Sequence, residues 1–202
     1  MTSLKSLLTL LILSPGLLSG ELTVGSPFTT NGVLQRDQPI PIWGSSDAGS
    51  TVTVKFADQI KSATVSPDGR WSLQLDALPA SHDPRTLSIS DQNNASIEFN
   101  NIVVGEVWIC SGQSNMQMGY GGIADINALI PTAKNLRTFK VKNTVSFTEE
   151  DRCGGQWVEG PPDSAVAFSF AYFSSRKLPG LPSASSKAPG GALRSKHGCH
   201  VS

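Results

Sequence analysis

The sequence predicts a chain in two parts: an all-β domain of sandwich type, followed by the opening elements of an α/β domain. Three observations carry this. Between residues 21 and 103, short segments alternate apolar and polar side chains with period two, and turn residues recur about every ten positions. After Asn101 the alternation gives way to a more continuous apolar run, the pattern of a strand covered on both faces. Further on, Asp163-Ser164 precedes a helical run through Phe168, Ala171 and Phe173 to Lys177, with the residue types that cap a helix start. Composition agrees: Gly (19) and Pro (13) are plentiful in 202 residues and only 16% are charged, which suits strands and loops better than a helical bundle.

The elements follow in order. Lys5 precedes an apolar stretch at residues 7–13, and small residues follow at Ser19 and Gly20. The stretch is too short to cross a membrane, and the layout is that of a secretory signal peptide over residues 1–20. It predicts an extracytoplasmic protein, periplasmic or secreted; the competing assignment is a buried N-terminal strand or helix. Thr51-Val52-Thr53-Val54-Lys55-Phe56 reads as a half-buried strand, Pro67-Asp68-Gly69 as a turn, and Trp71-Ser72-Leu73-Gln74-Leu75 as the next strand. Ser81-His82-Asp83-Pro84 reads as an exposed turn. Leu87-Ser88-Ile89-Ser90 and Ile97-Glu98-Phe99 flank a turn at Asp91-Gln92-Asn93-Asn94. Asn94-Ala95-Ser96 is a glycosylation sequon, meaningful only in a eukaryotic secretory pathway.

The β-domain is assigned to residues 21–103 and the α/β segment to residues 104–177. Within the latter, residues 102–104 and 107–109 form the strand expected to be buried on both faces. Residues 124–133 form a short helix with Pro131 near its end, and residues 136–145 a further strand.

Net charge is zero, so nothing points to nucleic acid or an anionic membrane surface, and no second apolar run approaches the ~20 residues of a membrane span. The acidic run Glu149-Glu150-Asp151 reads as a solvated loop. Three cysteines make no disulfide framework: Cys110 reads as a buried thiol in a strand, Cys153 lies in a Gly-rich loop and Cys199 in the tail. No Cys/His spacing matches a metal site, and no cofactor is expected.

The densest chemistry is in Val107-Trp108-Ile109-Cys110-Ser111-Gly112-Gln113-Ser114-Asn115-Met116-Gln117-Met118. An apolar strand ends in small polar residues and a serine follows at once. A serine at the C-terminal end of a strand, before a helix N-terminus, has backbone N–H donors at hand for an oxyanion. The spacing is not the G-x-S-x-G elbow. Taken by itself, a helix-capping or turn role for Ser114 explains the residue as well.

The string G-Q-S-N-M after V-W-I-C-S resembles the first sequence block of the sialate O-acetylesterase family, SGNH-type hydrolases that remove O-acetyl groups from sugars. Upstream, Asn31-Gly32-Val33-Leu34-Gln35-Arg36-Asp37-Gln38-Pro39 and Ile40-Pro41-Ile42-Trp43-Gly44 fit the motif that opens that family's N-terminal β-domain. The resemblance covers roughly residues 23–177. It implies that residues 104–177 are the truncated start of an SGNH-hydrolase domain and that the partner is an acetylated sugar or glycan. It also implies that Ser114 is the nucleophile. Gly112, Gln113 and Asn115 would support the loop and its oxyanion donors, and Met116 and Met118 would pack. Asn115 is not the family's oxyanion asparagine, which comes from a later block. Xylan or another acetylated glycan fits the resemblance as well as sialic acid.

The chain departs from the family beyond this block. The W-G-G block, the later asparagine block and the D-x-x-H of the general base are absent from the sequence. His82 belongs to the β-domain; His197 and His200 lie in residues 178–202, which hold no Asp, Glu or aromatic residue and no apolar periodicity. This tail is expected to be aberrant or disordered. Read from Leu181 in a shifted frame, permitted codons spell S-S-W-G-G-T-P, resembling the family's next block, and a frameshift is the expected origin of the tail. An inactive chain is the consequence, since a serine without a base is a poor nucleophile. The alternative of another class is a non-catalytic carbohydrate-binding β-module in which Trp43 or Trp71 stacks on sugar.

Overall fold

Side-chain alternation turns into two sheets that share one core. A computed structural model of the protein describes residues 20–177, apart from 122, 143 and 148–151, together with the backbone of Ser183–Lys187. In chain order the strands are β1 (Thr23–Val24), β2 (Val33–Gln35), β3 (Ile40–Ser45), β4 (Thr51–Phe56), β5 (Gln59–Thr64), β6 (Arg70–Leu75), β7 (Ser81–Asp91), β8 (Ser96–Cys110), β9 (Leu136–Val141), β10 (Gly155–Glu159) and β11 (Ser183–Lys187); the α-helices are α1 (Ala124–Leu129) and α2 (Ala165–Lys177). Strands dominate and helices are few. The expected signal peptide lies outside the described residues.

Among the described residues, β1, β3 and β6 form an antiparallel three-stranded sheet. The larger sheet runs β10-β9-β11-β8-β7-β4-β5, with β2 also paired to β8. Alternate residues of both sheets meet inside: Ile42 and Leu75 from the first, Val52, Val54, Phe56, Leu87, Ile89, Ile102 and Val104 from the second, all 2% exposed or less. That is the period-two pattern read in three dimensions, because successive strand side chains face opposite ways.

β8 is the element that organises the molecule. It runs 15 residues without a break, so the change of character at Asn101 falls inside a strand rather than in a linker. Its first half is antiparallel to β7; residues 103–105 run parallel to β2, and residues 106–110 run parallel to β11. Between Leu87↔Phe99 and Arg85↔Ile102 the register shifts, with one residue of β7, Thr86, facing two of β8, Asn100 and Asn101. Asn101 sits there at φ 58°, a left-handed conformation that asparagine tolerates, in the manner of a β-bulge.

Several expectations change. Ser81-His82-Asp83-Pro84 is not a turn but the start of β7. Pro84 falls in an irregular stretch between the Ser81↔Val104 and Arg85↔Ile102 pairs, where its missing N–H costs no regular ladder bond. The strand at 136–145 stops at Val141, where its partner β10 begins at Gly155. The helix at 124–133 is α-helical to Leu129 and then tightens into a 3₁₀ turn at Ile130–Thr132 containing Pro131. Burial on both faces of the apolar run holds for Ile102, Val103 and Val104 only; Trp108 and Ile109 are exposed. An unstructured tail from residue 178 does not hold for β11, whose backbone lies parallel between β8 and β9. Ladder hydrogen bonds to two flanking strands need no apolar pattern. The rest of the tail, with His197, His200 and Cys199, lies outside the described residues.

No helix among the described residues is long and apolar enough to cross a membrane.

Candidate functional site

The site is built at the C-terminal end of β8. Upstream, the strand is held by the Gln35-Arg36 pair. Arg36 N–H donates to the Gly105 carbonyl (3.0 Å), and Gln35 Oε1 accepts from Val107 N–H (2.9 Å). The glutamine side chain thus extends the β2 ladder one step past the end of its strand. Glu106 is gripped from the same side, by Arg36 Nε at 2.5 Å and Gln35 Nε2 at 3.3 Å. The carboxylate raises the Arg36 pKa further above its usual value, so the guanidinium stays charged. Sequence reading placed Gln35 and Arg36 in a family-like motif but assigned them no role, and it did not single out Glu106.

After Cys110, which is buried and forms no disulfide with Cys153, residues 111–113 cross to a 3₁₀ turn at Ser114–Gln117. Met116 N–H bonds the Gln113 carbonyl (2.9 Å) and Met118 N–H the Asn115 carbonyl (3.3 Å). Gly112 leaves room for a close approach: a Cβ there would stand 2.7 Å from Met116 Cγ, so that a larger residue would have to push the methionine side chain aside. Met116 therefore packs over the loop, while Met118 is 48% exposed.

The turn leans on the start of α2. Ala165 N–H, in the helix's first turn, donates to the Met118 carbonyl at 2.8 Å. Ser164, wholly buried, caps the helix: its Oγ accepts from Ala167 N–H (3.3 Å). The positive end of the α2 dipole thus abuts the segment that carries Ser114. Behind it, Phe168 meets Tyr120 edge-on (5.6 Å) and Tyr172 (5.5 Å), and Trp108 meets Phe170 edge-on (5.1 Å). The Tyr120 hydroxyl is buried without a hydrogen-bond partner among the described residues; burial, then the charge of Asp163, raises its pKa, so it stays protonated. Asp163 pairs with Lys140 at 2.9 Å.

A second clamp has no sequence signal. Arg137, on β9, is 11% exposed; it donates through Nη1 to the Gly32 (3.1 Å) and Asn101 carbonyls, and through Nη2 to Asn101 Oδ1 (2.9 Å) and Glu159 (3.3 Å). Burial lowers its pKa, though not enough to threaten an arginine's charge. It ties the β8 bulge to the strands beyond it.

Gly112, Gln113, Ser114 and Asn115 all lie on one exposed loop. Among the described residues no side chain hydrogen-bonds Ser114 Oγ. His82, exposed on β7 beside the Ser81↔Val104 pair, is six β8 residues short of Cys110, roughly 20 Å along the strand. The structure does not bring it to Ser114. No group of three His, Cys, Asp or Glu among the described residues is placed to hold a metal. Trp71 is buried in the core, out of reach of a sugar, and Trp43 is half-buried, edge-on to Phe28 at 5.1 Å.

No family model matches the chain. Rat sialate O-acetylesterase is 33% identical over 95 residues, covering 43% of this chain and 18% of the relative. The mouse enzyme of the same name is 31% identical over 131 residues, covering 59% and 24%. The chain thus spans about a fifth to a quarter of the length of these relatives. Among solved structures, a carbohydrate acetylesterase from Xanthomonas citri superposes with a TM-score of 0.74 at 28% identity, covering 84% of this chain and 40% of that one. Sequence relatives and a structural neighbour point the same way, and the chain resembles part of the sialate O-acetylesterase family of carbohydrate acetylesterases.

Proposed function

We propose that this chain carries the nucleophile-bearing part of a carbohydrate O-acetylesterase, with Ser114 as the nucleophile. The observation that supports it most is the placement of Ser114. It is exposed and opens a 3₁₀ turn at the end of the anchored strand β8, and that turn packs on α2, whose first-turn Ala165 N–H bonds the Met118 carbonyl just after it. In this reading Ser114 Oγ attacks the acetyl carbonyl, the sugar hydroxyl leaves, and water hydrolyses the acetyl-enzyme. Backbone N–H groups of the turn face the developing oxyanion, and the α2 dipole favours its charge. Gly112 lets Met116 close over the loop, while Gln113 and Asn115 hold it. Residues 21–103 form the β-domain and residues 104–177 the start of an SGNH hydrolase domain. The protein acts outside the cytoplasm on an acetylated sugar or glycan. The general base is a histidine that this sequence does not supply in a D-x-x-H motif, so the chain as it stands has no meaningful turnover.

The test is a chain continued through the shifted reading frame at codons 174–202. It should release acetate from an O-acetylated sugar, and Ser114→Ala should abolish that release while leaving circular dichroism and melting unchanged. Near-normal turnover in the Ser114→Ala protein removes the assignment. A shifted frame interrupted by stop codons removes the frameshift.

A further inference from the structure

We propose that Asn94 is an acceptor for N-linked glycosylation, taking an oligosaccharide from a lipid pyrophosphate donor. The proposal does not depend on the esterase reading.

Asn94-Ala95-Ser96 is the one N-x-S/T sequon in the 202 residues, and it occupies the tip of the β7–β8 hairpin. Neighbouring groups do the structural work of that hairpin. Asp91 N–H donates to the Ala95 carbonyl (3.0 Å), and Asp91 Oδ1 accepts from Asn93 N–H (2.9 Å) and Ala95 N–H (3.0 Å). The Asn93 amide is committed to Asp47 at 2.8 Å. Asn94 contributes through its backbone, tolerating a left-handed φ of 65° and donating its N–H to the Asp91 carbonyl at 3.3 Å. Its carboxamide and the Ser96 hydroxyl are exposed and make no hydrogen bond among the described residues. A carboxamide that the fold does not use, with an exposed hydroxyl two residues on, can be modified without breaking the turn. Other asparagines do structural duty instead: Asn101 Oδ1 accepts from Arg137, and its amide donates to Asn31 Oδ1 at 2.8 Å.

The reaction is a group transfer. The Asn94 side-chain nitrogen attacks the anomeric carbon of the donor sugar. The C–N bond forms as the C–O bond to the lipid pyrophosphate breaks, the pyrophosphate leaves with the electron pair, and the amide loses one proton to the transferase. Asn94 and the Ser114 turn lie beyond opposite ends of β8, roughly 45 Å apart along the strand. A glycan at the hairpin tip therefore leaves the Ser114 loop uncovered.

The experiment expresses the full chain behind a heterologous leader in a eukaryotic secretory cell, with a reporter sequon in the linker after the leader. Only chains modified at the reporter are scored, since these have reached the lumen. The expected result is a second glycan on those chains, removed by peptide N-glycosidase to leave aspartate at position 94 in tandem mass spectra. Asn94→Gln and Ser96→Ala should each abolish it, and Ser96→Thr should raise its occupancy. Reporter-modified chains with unmodified Asn94 in both the native and the Ser96→Thr forms overturn the proposal. So does a second glycan that survives Asn94→Gln.

Discussion

The two ends of β8 are built on different principles. Toward its start, the inner faces of two sheets close over a shared buried core, and apolar alternation along the strands explains most of the side chains that go in. Toward its end, burial is divided between two small clusters, Val33, Val103, Phe139 and Trp157 in one and Leu136, Phe168, Ala171 and Tyr172 in the other, while Trp108, Ile109, Val166, Phe170 and Phe173 are exposed. Specific polar contacts take over there, namely the Gln35-Arg36-Glu106 grip and the Ser164 cap, with the Arg137 clamp at the bulge between the two regions. The first region is stabilised by area removed from water, which forgives detail; the second depends on individual hydrogen bonds, which do not.

This contrast breaks or sharpens under substitution. The largest effect belongs to the shared core. Phe56→Ala removes a ring that is 1% exposed and should cost about 3–5 kcal/mol in urea unfolding followed by tryptophan fluorescence. A loss under about 1 kcal/mol would mean that the two sheets do not close on this ring.

Next comes Arg137→Met, which keeps the stem but strands two carbonyls and the Asn101 side chain. The expected loss is about 2–3 kcal/mol, read in the same way, and hydrogen exchange should quicken at residues 99–103 as the bulge loosens. Unchanged exchange there would show that the clamp does not hold the bulge.

Ser164→Ala removes the α2 cap and should cost about 1 kcal/mol, with Ser164→Asp close to native because aspartate also caps and favours the helix dipole. Equal losses in both variants would point to packing around this wholly buried position instead.

Smallest is Phe173→Ser, on the exposed face of α2, within about 0.5 kcal/mol of native. A loss approaching that of Phe56→Ala would show that the exposed stripe is covered in solution.

Limited proteolysis addresses the same contrast by location. The resistant N-terminal fragment should end beyond Cys110, in the exposed loop at residues 111–113, and not near residue 103, because β8 is continuous through that position. A dominant cut at residues 101–105 would separate the two regions at the bulge.

Local pattern made much of this readable in advance. Residues 51–56 and 71–75 alternate and form β4 and most of β6; Pro67-Asp68-Gly69 turns; Ser164 caps a helix that ends at Lys177. Each rests on interactions within a few residues or on one buried face. The same signals misled where a partner elsewhere decides. Ser81-His82-Asp83-Pro84 carries turn chemistry yet becomes strand, because β8 offers a ladder beside it. Ser183–Lys187 has no apolar pattern yet forms β11, because β8 and β9 leave a slot between them. In the candidate site, the exposed serine and its glycine were legible from the motif around them. Gln35, Arg36 and Glu106 were not, since 70 residues separate Arg36 from its partner.

Sequence alone determined the strand-rich class, the inward faces of β4 and β6, the helix cap and the loop on which Ser114 sits. These follow from residue periodicity and from side chains that bond their own neighbours. Tertiary structure decided that one strand carries both regions, that a left-handed asparagine sets its register, and that Trp108 and Ile109 face outward. Those outcomes depend on which distant strands compete for the edges of β8, and hydrogen-bond partners far apart in the chain leave no periodic trace in it.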